Sequence, residues 1–234
     1  MVIIKIADLT VGIDNKYPEI LEMARDYIVN EPPMFTVSVT EAEIEDEKKS
    51  SVTKYRDGYY ESLLAYKRIA EILPSYDAFV LHGAVIEVNG RAYSFTARSG
   101  VGKTTHIKSW LSEFPDSSIL NGDKPIIRFK DGAPYAYGNP WQGKENYGKN
   151  ISAPLTAVTL LNRGEKNRVE SISIDDALIP FMGQIYLPKK SKSALQKTLV
   201  LARQTLESVK LFTLYCNMDK DAVYTSRRAI IGDV

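Results

Sequence analysis

Two β-rich runs, Ala84–Val88 and Arg91–Thr96, are separated by Asn89-Gly90 alone. A two-residue connection needs positive φ at both positions, which asparagine and glycine tolerate, and it forces the two runs to pair antiparallel. The second run enters the segment Ala97-Arg98-Ser99-Gly100-Val101-Gly102-Lys103-Thr104-Thr105, after which Ile107, Trp110, Leu111 and Phe114 recur at helical spacing. A strand, a glycine-bearing loop, a Lys-Thr pair and a helix in that order predict an α/β domain. Most loops of this kind are entered from a strand of a parallel sheet reached through a crossover. The Asn-Gly turn instead demands a mixed, partly antiparallel sheet.

The loop has the chemistry of a phosphate site (a P-loop). Small residues let successive backbone N–H groups turn inward on phosphate oxygens, and the positive end of the following helix adds to the attraction. Lys103 has the reach for the β and γ phosphates, and the Thr104 hydroxyl follows as a magnesium ligand. The expected nucleotide contacts are Ser99, Gly100, Val101, Gly102, Lys103, Thr104 and Thr105, and the expected ligand is ATP with Mg2+. The usual pattern opens with glycine six residues before the lysine; Ala97 stands there and adds only a methyl group. Asp123, just past the short apolar run 118–120, is the candidate second metal ligand, against a plain Asx turn before Pro125. His82, at the end of a central strand expected over 78–81, is read either as a contact to phosphate or acceptor hydroxyl or as a satisfied core histidine.

Around this centre the chain divides into a small α+β lobe over residues 1–76 and a core over 77–234, packed as one unit. Val2–Ile6 and the alternating run 34–39 read as strands, and Pro18 opens a helix with Ile20, Ala24 and Tyr27 on one face. Thr40 and Glu43 have the spacing of a capping box. Leu63, Tyr66, Ala70 and Leu73 mark a helix over 59–73, and Leu195, Leu199, Ala202, Leu206 and Val209 mark the longest one. Segments 155–161 and 211–215 read as late strands. Residues 138–154, rich in Gly, Asn and Pro, read as a surface loop. Thirty basic against 29 acidic side chains leave no bulk field for nucleic acid or an anionic membrane, so an anion site must be local. A single cysteine, Cys216, excludes an intrachain disulfide, and no apolar run has the length of a membrane span. The expected setting is cytoplasmic.

Leu81-His82-Gly83, the Asn-Gly hairpin, Ser-Gly-Val-Gly-Lys-Thr and Asn121-Gly122-Asp123 together resemble the HPr kinase/phosphorylase catalytic domain. The broader likeness is to the nucleotide-binding core of ATP-dependent phosphoenolpyruvate carboxykinase. The likeness covers roughly residues 78–130. The segment from Gly138 to Glu145 and Cys216-Asn217-Met218 resemble uncharacterised bacterial HPr-kinase-like proteins; some members of that wider group modify ribosomally made peptides. The resemblance implies a kinase that moves the γ-phosphoryl of Mg·ATP to a hydroxyl of a peptide, a protein or a small molecule. It implies a metal role for Asp123. HPr kinases and carboxykinases carry two consecutive aspartates here, and Gly122 stands in place of the first.

Further candidates follow. Lys144 would neutralise a transferring phosphoryl group and Glu145 would accept a proton, with Trp141 beside them at the acceptor. For the proton-abstracting base the order is Asp123, then His82, then Glu145. Lys189, Lys190 and Lys192 read as solvated cations, with docking of an acidic peptide as the alternative. Arg163 and Arg168 flank an apparent hairpin tip. A nucleotide-binding regulatory module without turnover, and a carboxykinase-like lyase, are the competing functions.

Overall fold

The computed structural model describes residues 1–143, 145–217 and 219–232. Lys144 and Met218, singled out above, lie outside the described residues.

The N-terminal lobe opens with β1 (Val2–Ile6) and β2 (Leu9–Asp14), an antiparallel hairpin, and adds β3 (Phe35–Ser38) parallel to β2. The hairpin turn is Ala7-Asp8, at φ 49° and 56°. Asp8 suits a turn but Ala7 does not, and without a glycine the pair leaves the hairpin and β2 unmarked in the sequence. A short helix α1 (Glu19–Met23) follows Pro18. Helix α2 (Glu41–Ser50) starts at the expected capping box, with Thr40 accepting from the Glu43 N–H and the Glu43 carboxylate accepting from the Thr40 N–H. Helix α3 (Asp57–Ile72) buries Tyr66, Ile69 and Ala70 on one stripe.

The second sheet is mixed and has nine strands. Its path is β4 (Ala78–Val80), β8 (Ile126–Lys130), β9 (Ala133–Tyr137), β10 (Ser152–Arg163), β6 (Arg91–Thr96), β5 (Ala84–Val88) and β7 (Ser117–Asn121). Strand β12 (Lys210–Cys216) pairs with β10, and β11 (Arg168–Ser171) pairs with β12. The Asn-Gly expectation holds: β5 and β6 pair antiparallel from Ala84↔Phe95 to Val88↔Arg91, with Asn89 at φ 52° and Gly90 at φ 74°. Strands β6, β10 and β12 form the parallel centre. Helix α4 (Lys103–Glu113) carries the chain from β6 across β5 to β7.

Two local readings are corrected. β10 and β11 do not pair; β12 lies between them, parallel to one and antiparallel to the other, so Gly164-Glu165 is a crossing and not a hairpin tip. Residues 78–80 form the end strand of the sheet path and not a central one. Asp131-Gly132 is the turn it resembles, at φ 51° and 80°, and it delivers β9, a strand not read from the sequence.

Alternation along the strands sends neighbours to opposite faces. Val85, Ala92 and Val158 join a core beneath α5 (Ile174–Met182) and α6 (Lys192–Ser208). Ile86, Tyr93 and Ala157 join another beneath α4 and α7 (Asp221–Ile230). The core of the N-terminal lobe runs on into the large sheet through Ile126, Tyr137 and Trp141. Polar ties cross the same junction: Arg128 donates to the Ala7 carbonyl, and the Tyr137 hydroxyl donates to Asp8. Among the described residues no helix is long and apolar enough to cross a membrane.

His106, on the buried face of α4, packs against Phe95 and Trp110 and meets the Ser226 hydroxyl at 3.2 Å. Burial lowers its pKa from 6.5 to about 4, so it folds neutral. Between those values the unfolded chain binds the extra proton, and stability falls as pH drops through the window. Moving from pH 7 to pH 5 is expected to remove about 2 kcal/mol on this account. Urea titrations at both pH values check it. The difference should shrink by that amount in His106→Gln, and an equal difference in the variant would place the effect elsewhere.

Candidate functional site

The loop between β6 and α4 starts at the C-terminal end of a central parallel strand. Gly100 and Gly102 sit at φ 79° and 124°, a backbone that L side chains rarely adopt, so these two glycines are required by the turn itself. Gly102 is the N-cap of α4 and supplies no side-chain cap, which leaves the first amides of the helix open to a ligand. Arg163, at the end of β10, fixes the loop from the side. It donates to the carbonyls of Gly100 (2.6 Å) and Val101 (3.2 Å).

The Lys103 ammonium is buried and has no hydrogen-bond partner among the described residues. Burial lowers its pKa, Asp123 opposes that shift, and Lys124 adds to it. An ammonium in this state is costly unless an anion joins it.

His82 lies between β4 and β5. Its N–H donates to the Gln184 carbonyl (2.6 Å), and its own carbonyl accepts from the Thr96 hydroxyl at the end of β6 (2.8 Å). Its Nδ1 is 3.0 Å from Gln184 Oε1, and its Nε2 is 3.6 Å from Asp123 Oδ1. With Oε1 as acceptor, Nδ1 holds the proton in the neutral ring and Nε2 is the basic position. Burial, then the Lys103 charge, lower the imidazole pKa against the contrary pull of Gln184 and Asp123.

Asp123 follows β7. The Asx turn weighed for it belongs to Asn121, whose Oδ1 accepts from the N–H groups of Asp123 (2.9 Å) and Lys124 (2.7 Å). The Asp123 side chain is thereby free, with Oδ2 2.7 Å from Lys124 Nζ. Burial works to raise its pKa, but Lys124, Lys103 and His82 together outweigh it and hold the carboxyl below the usual range.

A cleft of about 410 Å³ brings His82, Ser99, Gly100, Gly102, Lys103, Thr104, Thr105 and Asp123 together, with Arg98 and Arg163 on its wall. A larger hollow of about 590 Å³ adjoins it, sharing Gly102, Thr105 and Arg163 and walled by Val101, Cys216, Ala222 and Val223. The arrangement can take an anion on backbone amides and a buried ammonium, with a carboxylate and an imidazole across from it.

Of the surface loop expected over 138–154, residues 138–141 are instead buried, Gly143 and residues 145–147 are exposed as expected, and residues 152–154 already belong to β10. Trp141 is buried, its Nε1 donating to the carbonyl and hydroxyl of Ser62 (both 3.1 Å) and its ring against Tyr66. Asn121 and Asn139 stitch the same segment to β7 and to Lys124. A Cβ on Gly138 would lie 1.9 Å from the Lys149 carbonyl oxygen, so this glycine serves close approach and not flexibility. Trp141 therefore acts as a core anchor away from the cleft. Glu145 pairs with Lys108 of α4 at 3.3 Å and does not line the cleft. Lys124 and Gln184 were missed; the Asp-Lys pair was visible in the sequence, whereas Gln184 approaches His82 only through the chain's return after α5.

No protein-family model matches the chain, and no curated protein sequence matches it. Among solved structures it is similar to the HPr(Ser) kinase/phosphatase from Coxiella burnetii, with a TM-score of 0.36 and 8% identity over 66% of this chain and 99% of that one. At that level the likeness carries no residue-by-residue correspondence.

Proposed function

We propose that the chain binds Mg·ATP at the loop between β6 and α4 and transfers the γ-phosphoryl to a hydroxyl. The observation that carries the reading is the buried Lys103 ammonium, without a hydrogen-bond partner among the described residues, facing a cleft with open helix amides. A polyphosphate would supply the missing partner. The metal fits on the same terms. Among the described residues no cluster of three or more His, Cys, Asp or Glu side chains could hold an ion alone. Magnesium, however, is commonly held by one carboxylate, a hydroxyl, waters and the phosphates themselves, and Asp123 and Thr104 provide that pair. The adjoining hollow, with apolar walls and a shared rim, suits the nucleoside. Bound Mg·ATP would supply the phosphoryl group and part of the charge neutralisation.

The chain's own residues then have separate tasks. Lys103 and the loop amides hold the transferring group. Asp123, kept ionised by its cationic neighbours, suits metal binding better than proton abstraction. His82 is neutral at pH 7, and Gln184 orients its basic Nε2 toward the cleft side where Asp123 would stabilise the imidazolium. His82 thus moves ahead of Asp123 as the acceptor of the hydroxyl proton, and Glu145 falls behind both.

Calorimetry with Mg·ATP, followed by ADP release with a panel of serine peptides and small alcohols, tests the proposal; absence of nucleotide binding would refute it. His82→Gln should lower kcat by at least about 10²-fold. It should also remove the acid limb of the pH–rate profile, whose midpoint lies below the ordinary histidine value. An unchanged profile would assign the proton to another group. A second reading, nucleotide binding without turnover, is favoured by Gly122, which leaves Asp123 without a second carboxylate beside it. Binding without ADP release against the whole panel would select it.

A further inference from the structure

Strand β3 pairs only with β2 among the described residues, so its other edge is open. Leu9, Val11 and Ile13 face β1 across the two-residue hairpin, so Thr10, Gly12 and Asp14 face β3, where the parallel register sets Val11 opposite Phe35 and Ile13 opposite Val37. The amides of Phe35 and Val37 therefore face β2, and those of Thr36 and Ser38 face away from it. A groove of about 570 Å³ lies along this side, for it is lined by Thr36, Val37 and Ser38 and by no residue of β2. Its other wall comes from α3 and from the segment after α5.

The groove carries a local excess of cations. Lys67, Arg68, Lys189 and Lys190 line it against Glu43 and Glu71; Lys67 pairs with Glu47 and Arg68 with Glu43, which leaves Lys189 and Lys190 as the cations open to a partner. Glu43 closes the cap of α2 and pairs with Arg68. Glu71 accepts from the N–H groups of Lys189 (3.0 Å) and Lys190 (3.1 Å) and from the Tyr186 hydroxyl (3.2 Å). The Lys189 and Lys190 side chains are exposed, and neither forms an ion pair among the described residues. Leu64 and Ile72 add apolar floor.

The same segment leads to the candidate cleft. Gln184 orients His82, Ile185 bridges to Leu81, and six residues later Lys190 stands at the groove. Six residues span at most about 20 Å. A strand held in the groove would therefore deliver its continuation to the cleft within a comparable length of chain.

We propose that this groove docks an extended acidic peptide, which adds as a strand to the open edge of β3 and places its acceptor hydroxyl at the cleft. The docking rests on the groove alone, and the role as acceptor rests on the function proposed above. Main-chain hydrogen bonds to Thr36 and Ser38 would give the affinity, and Lys189 and Lys190 the preference for acidic side chains.

Fluorescence anisotropy without nucleotide tests it. The probe is a labelled 12-residue peptide of alternating glutamate and valine with a serine tail. Three comparators are the same peptide N-methylated at its odd residues, the same peptide N-methylated at its even residues, and a lysine-valine peptide. The acidic peptide should bind; N-methylation in one of the two phases and the lysine peptide should each abolish binding. K189E/K190E should weaken it on the order of tenfold or more, with the thermal unfolding profile retained. Equal binding of both N-methylated phases overturns strand addition. No binding of the acidic probe at millimolar concentration, or sedimentation showing that a second copy of the chain occupies the edge, overturns the docking site. Lys103→Ala should bind the probe as the wild type does, so a failure of nucleotide binding leaves this result standing on its own.

Discussion

Replacing Lys103 by alanine is expected to abolish Mg·ATP binding, or to weaken it by about 2 to 4 kcal/mol, the scale of losing a charge-assisted contact to a polyanion. The direction follows from the free state. Among the described residues the buried ammonium has no hydrogen-bond partner, and burial lowers its pKa against the partial support of Asp123. The chain therefore maintains an unfavourable charge that an anionic ligand would relieve. Removing it should leave the fold intact or slightly more stable, while the nucleotide loses its most direct cation. Calorimetry on wild type and variant, with thermal unfolding alongside, reads both quantities. Unchanged ATP affinity would end the assignment of the loop. Loss of affinity together with loss of the fold would be resolved by Lys103→Met, which keeps the buried stem.

Asp123→Asn is expected to remove turnover, by at least about 10²-fold, while leaving measurable nucleotide binding. The amide matches the carboxylate in shape but lacks the charge that Lys124 at 2.7 Å, Lys103 and His82 all face. The two ammonium groups of Lys103 and Lys124 would then lie together without that counter-charge, and His82 would be harder to protonate. If Asp123 is the metal ligand, excess magnesium should partly restore nucleotide affinity in the variant. Wild-type ADP release with the true acceptor would show that Asp123 is neither ligand nor essential charge.

Much of this site can be read in one dimension because its parts are local. Asn89-Gly90 selects its hairpin through φ values that few other residue pairs accept, and Gly100 and Gly102 mark a turn of the same kind. The caps at Thr40 and Ser173 are bonds between residues three apart, visible as spacing. Where the local signal was weak the reading failed. The Ala7-Asp8 turn carries no glycine, and strand β2 behind it went unseen. The Gly, Asn and Pro residues of 138–154 looked like solvent, yet Gly138 sits against the Lys149 carbonyl and Trp141 fills the core beside Ser62. Composition cannot separate a glycine that frees the chain from one that lets two backbones touch.

The sequence by itself determined the hairpin, the loop with Lys103 and Thr104, the helix behind it, and the need for a local and not a global positive field. Those features depend on residues within a few positions of one another and on backbone φ preferences. Only the tertiary structure decided that His82, Asp123 and Lys103 share one cleft, that Gln184 orients His82 and Lys124 pairs with Asp123, that Arg163 braces the loop, and that Trp141 and Glu145 stand apart from it. Those relations come from strand order and from a chain that returns across 102 residues between His82 and Gln184. Burial and charge at such meetings depend on what packs around each group, and no spacing along the chain records that.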